Sequence, residues 1–105
     1  MEPTMNTIAF LILELLFIEP EGLDGVTLHG ALNTIIGQIS DAGRDALGVN
    51  FPVNDSTYRT ARKRLEEKGW VKRKGRSQQD KRVGYYKLTA EGMKNAEIVF
   101  GPVSS

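Results

Sequence analysis

The sequence predicts a mainly α-helical α+β domain in which three core helices precede a small two-stranded β-hairpin and a short C-terminal helix. Apolar residues recur at helical spacing in three segments of the first two thirds of the chain, and two strand-like segments around a polar tip follow them. The length of 105 residues suits one domain with a single core. We therefore expect residues 1–105 to fold as one unit.

The first helix is expected to begin at a cap on Thr4 or Asn6 and to end at about Ile18, where Glu19-Pro20 stops it. Apolar side chains occupy both sides of this helix, so it must be buried on more than one face. We expect residues 1–25 to contact a second copy of the chain; the alternative is that the domain's own core covers the helix. The candidate dimer residues are Ile8, Leu11, Ile12, Leu15, Val99 and Phe100.

A second helix is predicted to begin at a cap on Thr27, with apolar residues at helical spacing up to Ile39. Residues 40–50 contain two glycines and are expected to extend this helix by a turn or two and then to form a loop. Either Phe51 or Val53 is expected to fill the core ahead of the next helix.

The third helix is predicted to be capped by Asp55 or Ser56 and to end at Gly69, a residue suited to a left-handed C-terminal conformation. On a helical wheel, its core face is formed by Tyr58, Ala61 and Leu65. The opposite face is polar and mostly basic, and it is narrow enough to enter a major groove. That face carries Ser56, Arg59, Thr60, Lys63 and Glu67, with Arg62 and Arg64 at its flanks.

A β-hairpin is predicted next, with strands over residues 70–74 and 82–88. Alternation in the second strand turns Tyr86 toward the core and leaves Tyr85 facing solvent. Thr89 then caps a last short helix.

Charge is strongly separated along the chain, although its net charge is only +1. Residues 59–87 hold twelve basic and three acidic side chains, a net charge of +9, whereas residues 1–58 carry −7. Such asymmetry indicates a polyanionic partner for the basic segment.

Two segments carry a resemblance to a known family: STYRTARKRLEEKGWVKRK over residues 56–74 and GYYKLTAEG over residues 84–92. They resemble winged-helix regulators of the PadR and MarR type, with PadR-like proteins the closer match. The resemblance implies a helix-turn-helix over residues 26–69, a wing over residues 70–88 and a short C-terminal helix over residues 89–100. The chain departs from the family in a longer connection between its second and third helices and in a shorter C-terminal segment.

Double-stranded DNA is the partner that this resemblance implies. The implied recognition-helix contacts are Ser56, Thr57, Tyr58, Arg59, Thr60, Lys63 and Arg64. The implied wing contacts are Lys72, Arg73, Lys74, Arg76, Gln78, Lys81 and Arg82. Arg59 is the first candidate to read a guanine, because a guanidinium can bond O6 and N7 together. The Tyr58 hydroxyl and the wing cations are expected to contact phosphates.

The expected function is transcriptional regulation by a cytoplasmic, nucleoid-associated homodimer that acts as a repressor on a palindromic operator. One alternative is a protein-interaction module or inhibitor, of the kind found in phages, plasmids and viruses, that docks a partner through the acidic N-terminal half. Another is nonspecific binding of nucleic acid, including RNA.

The sequence offers no catalytic centre, and we expect neither an enzyme nor a bound cofactor or metal. It has no cysteine, so disulfides are excluded, and it lacks a phosphate-cradling loop. Its one histidine, His29, is expected to have a structural or surface role. The apolar run from Ile8 to Ile18 is too short to span a bilayer and contains Glu14.

Overall fold

A computed structural model describes residues 3–76 and 84–101, with side chains described from residue 7 onward except at residue 76. This part of the chain forms a compact, mostly helical α+β domain. Its elements are α1 (Pro3–Ile18), β1 (Leu23–Asp24), α2 (Gly25–Gln38), α3 (Asp41–Leu47), α4 (Asp55–Glu67), β2 (Val71–Arg76), β3 (Gly84–Leu88) and α5 (Ala90–Phe100). None of these helices, over the described residues, is long and apolar enough to cross a membrane.

The N-terminal caps of α2 and α4 lie upstream of the predicted positions. The Asp24 carboxylate accepts the backbone N–H of Thr27 at 2.7 Å, so α2 begins at Gly25 and Thr27 lies in its first turn. The Asn54 side chain likewise accepts the N–H of Thr57 at 2.8 Å and caps α4. Both expected caps were therefore wrong, because the side chains of Asp24 and Asn54 already accept a first-turn N–H from the extended position that precedes each helix.

Residues 41–47 form a separate helix, α3, where an extension of α2 followed by a loop was expected. Ile39 is extended and ends α2, and the Ser40 hydroxyl then caps α3 by accepting the N–H of Gly43 at 3.0 Å. Arg44 fixes α3 against the end of α2, since its Nη1 donates to the carbonyl oxygens of Ile36 and Ile39. The Ile36 carbonyl also accepts the N–H of Ile39, so Arg44 adds a second donor there and supplies a donor to the Ile39 carbonyl beyond the end of α2.

The core is formed where α1 packs against α2 and α4. The largest fully buried side chains are Ile8, Ile12, Leu16, Leu28, Leu32 and Ile36. The predicted core face of α4 is confirmed, because Tyr58, Ala61 and Leu65 are all buried. Ile8 and Ile12 therefore pack inside their own domain, and their assignment to a dimer interface was wrong.

The segment before α4 fills the core with Val53, which is buried, while Phe51 is 49% exposed. Phe51 instead lies beside Gly37 of α2 and under the guanidinium of Arg44, 5.0 Å from its ring centroid. Of the two expected core residues, Val53 is the one that occupies the core.

The sheet has three antiparallel strands in the order β1-β3-β2. The short strand β1 was not predicted; its Leu23 pairs with Tyr86 and its Asp24 with Tyr85. Tyr86 faces the core as predicted, whereas Tyr85 is half-buried, because its hydroxyl donates to the carbonyl oxygen of Gly22 at 3.0 Å. Tyr85 lies on the face opposite Tyr86, as the alternation predicted, but the turn before β1 partly covers it.

Thr89 caps helix α5 as predicted, since its hydroxyl accepts the N–H of Gly92 at 3.0 Å. Gly92 lies so close to the start of β2 that a Cβ atom there would come within 1.9 Å of the Trp70 carbonyl oxygen. A glycine is thus required for α5 to approach the hairpin.

We expect Gly92→Ala to lower the free energy of unfolding by about 1 to 3 kcal/mol, because the new methyl group overlaps backbone that has little room to move. Urea denaturation followed by circular dichroism measures this change.

Gly30→Ala is the matched control, because Gly30 is also helical but nothing lies within 4 Å of its added Cβ. It should raise the stability by roughly 0.5 to 1 kcal/mol. Similar effects of the two alanines would contradict the close approach at Gly92.

Candidate nucleic-acid interface

The outward face of α4 exposes most of the residues predicted to meet DNA. This exposure follows from the burial of the opposite face against α1, since a helix buried on one side presents the other to solvent. The exposed residues are Ser56, Arg59, Thr60, Lys63 and Arg64, and Thr57 is half-buried. Tyr58 differs from the others because only 2% of it is exposed.

Strand β2 carries three exposed cations, Lys72, Arg73 and Lys74, and Arg73 among them lines a surface shared with α4. Lys72 pairs directly with Lys87 of β3, and like charges at opposite positions of a ladder repel each other. An anion placed over this pair would relieve the repulsion. The side chain of Arg76 and all of Gln78, Lys81 and Arg82, which were also predicted to contact DNA, lie outside the described residues.

An open groove of about 580 Å³ connects α4 to α2 and to the hairpin. Four cations line it, namely Arg59, Arg62, Lys63 and Arg73, and Asp55 is the carboxylate among its described lining residues. Gly84 allows the Tyr86 hydroxyl and Arg73 Nε to approach the hairpin backbone, because a Cβ atom at this residue would lie 2.7 and 2.8 Å from them. The groove therefore joins basic side chains from α4 and β2 in one surface.

Two side chains of α2 hold the start of α4 in place. His29 Nε2 lies 2.7 Å from the carbonyl oxygen of Val53, and the Asn33 side chain accepts the backbone N–H of Val53 at 2.7 Å. The His29 ring also stacks on Tyr58, with centroids 4.5 Å apart and planes only 3° from parallel. His29 thus has the structural role that the sequence predicted.

Arg62 lies inside the groove, where the sequence placed it only at the flank of the basic face. Its side chain is 13% exposed, and its guanidinium sits 4.3 Å above the Tyr86 ring centroid and 5.3 Å from that of Tyr58. Nε is 3.5 Å from a Glu66 carboxylate oxygen. The spacing of four residues from Tyr58 to Arg62 and from Arg62 to Glu66 is the sequence signal that could have indicated this stack.

The Tyr58 hydroxyl lies at the covered bottom of this stack, close to the Arg62 guanidinium but without the geometry of a hydrogen bond to any described residue. Burial raises the pKa of this hydroxyl. Its predicted contact with a DNA phosphate is not available in this structure, because the oxygen is closed off from solvent. Its ring instead supports His29 on α2 and Arg62 on α4.

Arg59 forms an ion pair within its own helix that the sequence analysis missed. Its Nε lies 2.8 Å from a carboxylate oxygen of Asp55, and both side chains remain more than half exposed. The spacing of four residues along the helix could have indicated this contact. The first cation of α4 is therefore restrained by a neighbouring carboxylate.

No group of three His, Asp or Glu side chains that could hold a metal ion occurs among the described residues. The stacked tyrosines and arginines that line the groove supply hydrogen-bond donors and positive charge. Such a surface is suited to bind an anion.

No family model, curated protein or solved structure matches the chain.

We expect Tyr58→Phe to keep or raise the stability, by up to about 1 kcal/mol, because the variant removes a buried hydroxyl without a hydrogen-bond partner. Tyr85→Phe is the matched control. It removes a hydroxyl that donates to Gly22, so it should lower the free energy of unfolding by about 1 kcal/mol. Urea denaturation at neutral pH compares the two.

Alkaline pH should separate wild type from Tyr58→Phe. The folded-state pKa of Tyr58 is raised above the unfolded value of about 10, so the folded chain retains a proton that the unfolded chain loses. This contribution to stability is complete below that pH and is lost as the pH rises through the folded-state pKa. Wild type should therefore lose more stability than Tyr58→Phe above about pH 10, and equal losses in a pH series of unfolding curves would contradict the burial of this hydroxyl.

Proposed function

We propose that the protein is a winged helix-turn-helix regulator that binds double-stranded DNA in a sequence-specific manner as a homodimer. The observation that carries this proposal is the groove in which cations of α4 and β2 meet, since Arg59, Lys63 and Arg73 line one surface. Although the net charge of the chain is only +1, most of its basic residues lie on one helix and one hairpin. This distribution is the electrostatic signature of a nucleic-acid interface.

The order of elements supports the winged-helix assignment. Helices α2 and α4 take the positions of the helix-turn-helix, and the antiparallel strands β2 and β3 take the position of the wing that follows it. Helix α3 occupies the connection between them, which accounts for the unusual length noted in the sequence. In this assignment α4 is the recognition helix.

The exposed side chains divide into two roles under this proposal. Those of α4 would face base edges in the major groove, with Arg59 directed at a guanine. Those of β2, especially Lys72 and Arg73, would contact phosphates and so contribute affinity without sequence preference. Transcription would be repressed where the bound protein covers a promoter.

We expect Arg59→Ala to weaken binding to a preferred duplex by about 1 to 3 kcal/mol and to relax the preference at one base pair, with a smaller effect on random DNA. Fluorescence anisotropy with a duplex enriched from a random pool, and with the random pool itself, measures both affinities. Equal weakening on the two would contradict base reading by Arg59.

Lys72→Ala should weaken both duplexes alike and flatten the dependence of affinity on salt, because it removes a phosphate contact. Lys94→Ala is the control, since Lys94 is an exposed lysine on α5 that does not line the groove. A salt series in the same assay compares these variants. Equal effects of the two substitutions would show that binding follows net charge alone.

The homodimer is proposed to use the apolar surface that remains exposed where α1 and α5 meet. Phe10 contacts Phe100 edge-to-face with centroids 5.0 Å apart, and Phe100 also stacks on Phe17. Phe10, Ile98 and Val99 leave 45%, 75% and 52% of their surface exposed. Such a patch suits an interface, and it replaces the part of the predicted interface that Ile8 and Ile12 cannot form.

We expect Ile98→Glu to convert the dimer to a monomer at micromolar concentration, because a charge would be buried at the interface. Leu47→Glu on α3, also at an exposed apolar position, should leave the dimer intact. Analytical ultracentrifugation measures the mass of each. A wild-type monomer would contradict the dimer while leaving DNA binding by a single domain open to the anisotropy assay.

A protein-docking role is the second candidate, and α3 is the observation that favours it. Leu47 at the end of α3 is 40% exposed, and Phe51 in the segment that follows is 49% exposed. Helix α3 also carries the exposed carboxylates of Asp41 and Asp45. An acidic surface with apolar anchors suits a basic protein partner. This function would gain support if duplex binding were weak and independent of sequence even at low salt.

A further inference from the structure

Asp55 is unusual in its position. It lies at the first residue of α4, it lines the groove beside four cations, and its side chain is 57% exposed. A carboxylate at this position repels the phosphates of any nucleic acid that approaches the basic face. Asp55 is not needed as the cap, since the Asn54 side chain already accepts the N–H of Thr57.

The contribution of Asp55 to stability is too small to explain its presence. An exposed ion pair such as that with Arg59 contributes roughly 0 to 1 kcal/mol. A carboxylate in the first turn of a helix contributes a similar amount. A neutral residue at this position would cost the fold little and would favour phosphate binding.

We propose that Asp55 is a positioning residue that makes base reading by Arg59 selective. This inference rests on the proposed DNA-binding function and concerns how that function discriminates between sequences. The ion pair engages Nε of Arg59, and neither Nη atom is paired with another described residue. The two Nη groups are the pair that can bond O6 and N7 of a guanine.

Restraint of Arg59 matters because an arginine side chain loses rotamer freedom when it docks on a base. That loss is on the order of 2 kcal/mol for a free side chain, and it is smaller for one that is already held. The restraint also keeps the guanidinium from reaching out to a nearby phosphate. Asp55 therefore strengthens the contact with the correct base and weakens contacts that any sequence offers.

The neutral variant Asp55→Asn should therefore change two quantities in opposite directions, namely the affinity for random duplex and the preference for the enriched duplex. Its affinity for random duplex should rise severalfold, because a repulsive charge is removed. Its preference for the enriched duplex over the random pool should fall by about five- to tenfold, because Arg59 is no longer held. A purely structural role for Asp55 would lower both affinities together.

Glu67→Gln is the matched control, because it removes one exposed carboxylate from the same helix without disturbing an ion pair among the described residues. It should raise the affinity for both duplexes alike and preserve the preference. The decisive comparison is a double-mutant cycle with Arg59→Ala, in which Asp55→Asn should no longer change the preference.

The experiment is fluorescence anisotropy of the four proteins of the cycle and the Glu67 variant on the enriched duplex and on the random pool, with folding checked by thermal unfolding. A loss of preference that persists in the Arg59→Ala background would overturn the inference, as would an unchanged preference in Asp55→Asn. Wild type that binds duplexes but prefers none would overturn it while leaving DNA binding intact. Wild type that binds no duplex at low salt would overturn the proposed function itself.

Discussion

The burial of one side of α1 against α2 and α4 is the contact on which the rest of the molecule depends. Ile8, Ile12 and Leu16 of α1 are fully enclosed by this packing. Because the Tyr58 face of α4 is buried in this core, the basic face on the opposite side of the helix is exposed to solvent. The position of the charged surface is thus a consequence of apolar packing on the other side of the same helix.

The sequence was sufficient where periodicity and composition decide structure, and insufficient where backbone contacts between distant segments decide it. The face of α4 could be predicted from the spacing of Tyr58, Ala61 and Leu65 alone. Strand β1 could not, because two residues carry no periodicity and pair only once β3 lies beside them. The burial of Ile8 and Ile12 could not be assigned either, because an apolar helix gives no signal that distinguishes its own core from a partner.

The interface itself was partly predictable for the same reasons. Exposed cations such as Arg59 and Lys72 follow from the helical wheel and the alternation of a strand. The spacing of Tyr58 and Arg62 could indicate their contact within α4, but His29 comes from α2, so its stacking on Tyr58 depends on an angle between helices that no local pattern specifies. Surface charge is therefore easier to predict than the aromatic platform that organises it.

Helix α3 has a consequence for how the two helices of the groove keep their angle. A short turn between such helices would fix the angle through the chain itself, but here sixteen residues, 39–54, intervene between α2 and α4. The angle is instead held by side chains, since His29 and Asn33 form hydrogen bonds with the backbone of Val53, just before α4 begins. The exposed residues of this connection therefore do not set the angle, and substitutions among them should leave the orientation of the basic helix unchanged.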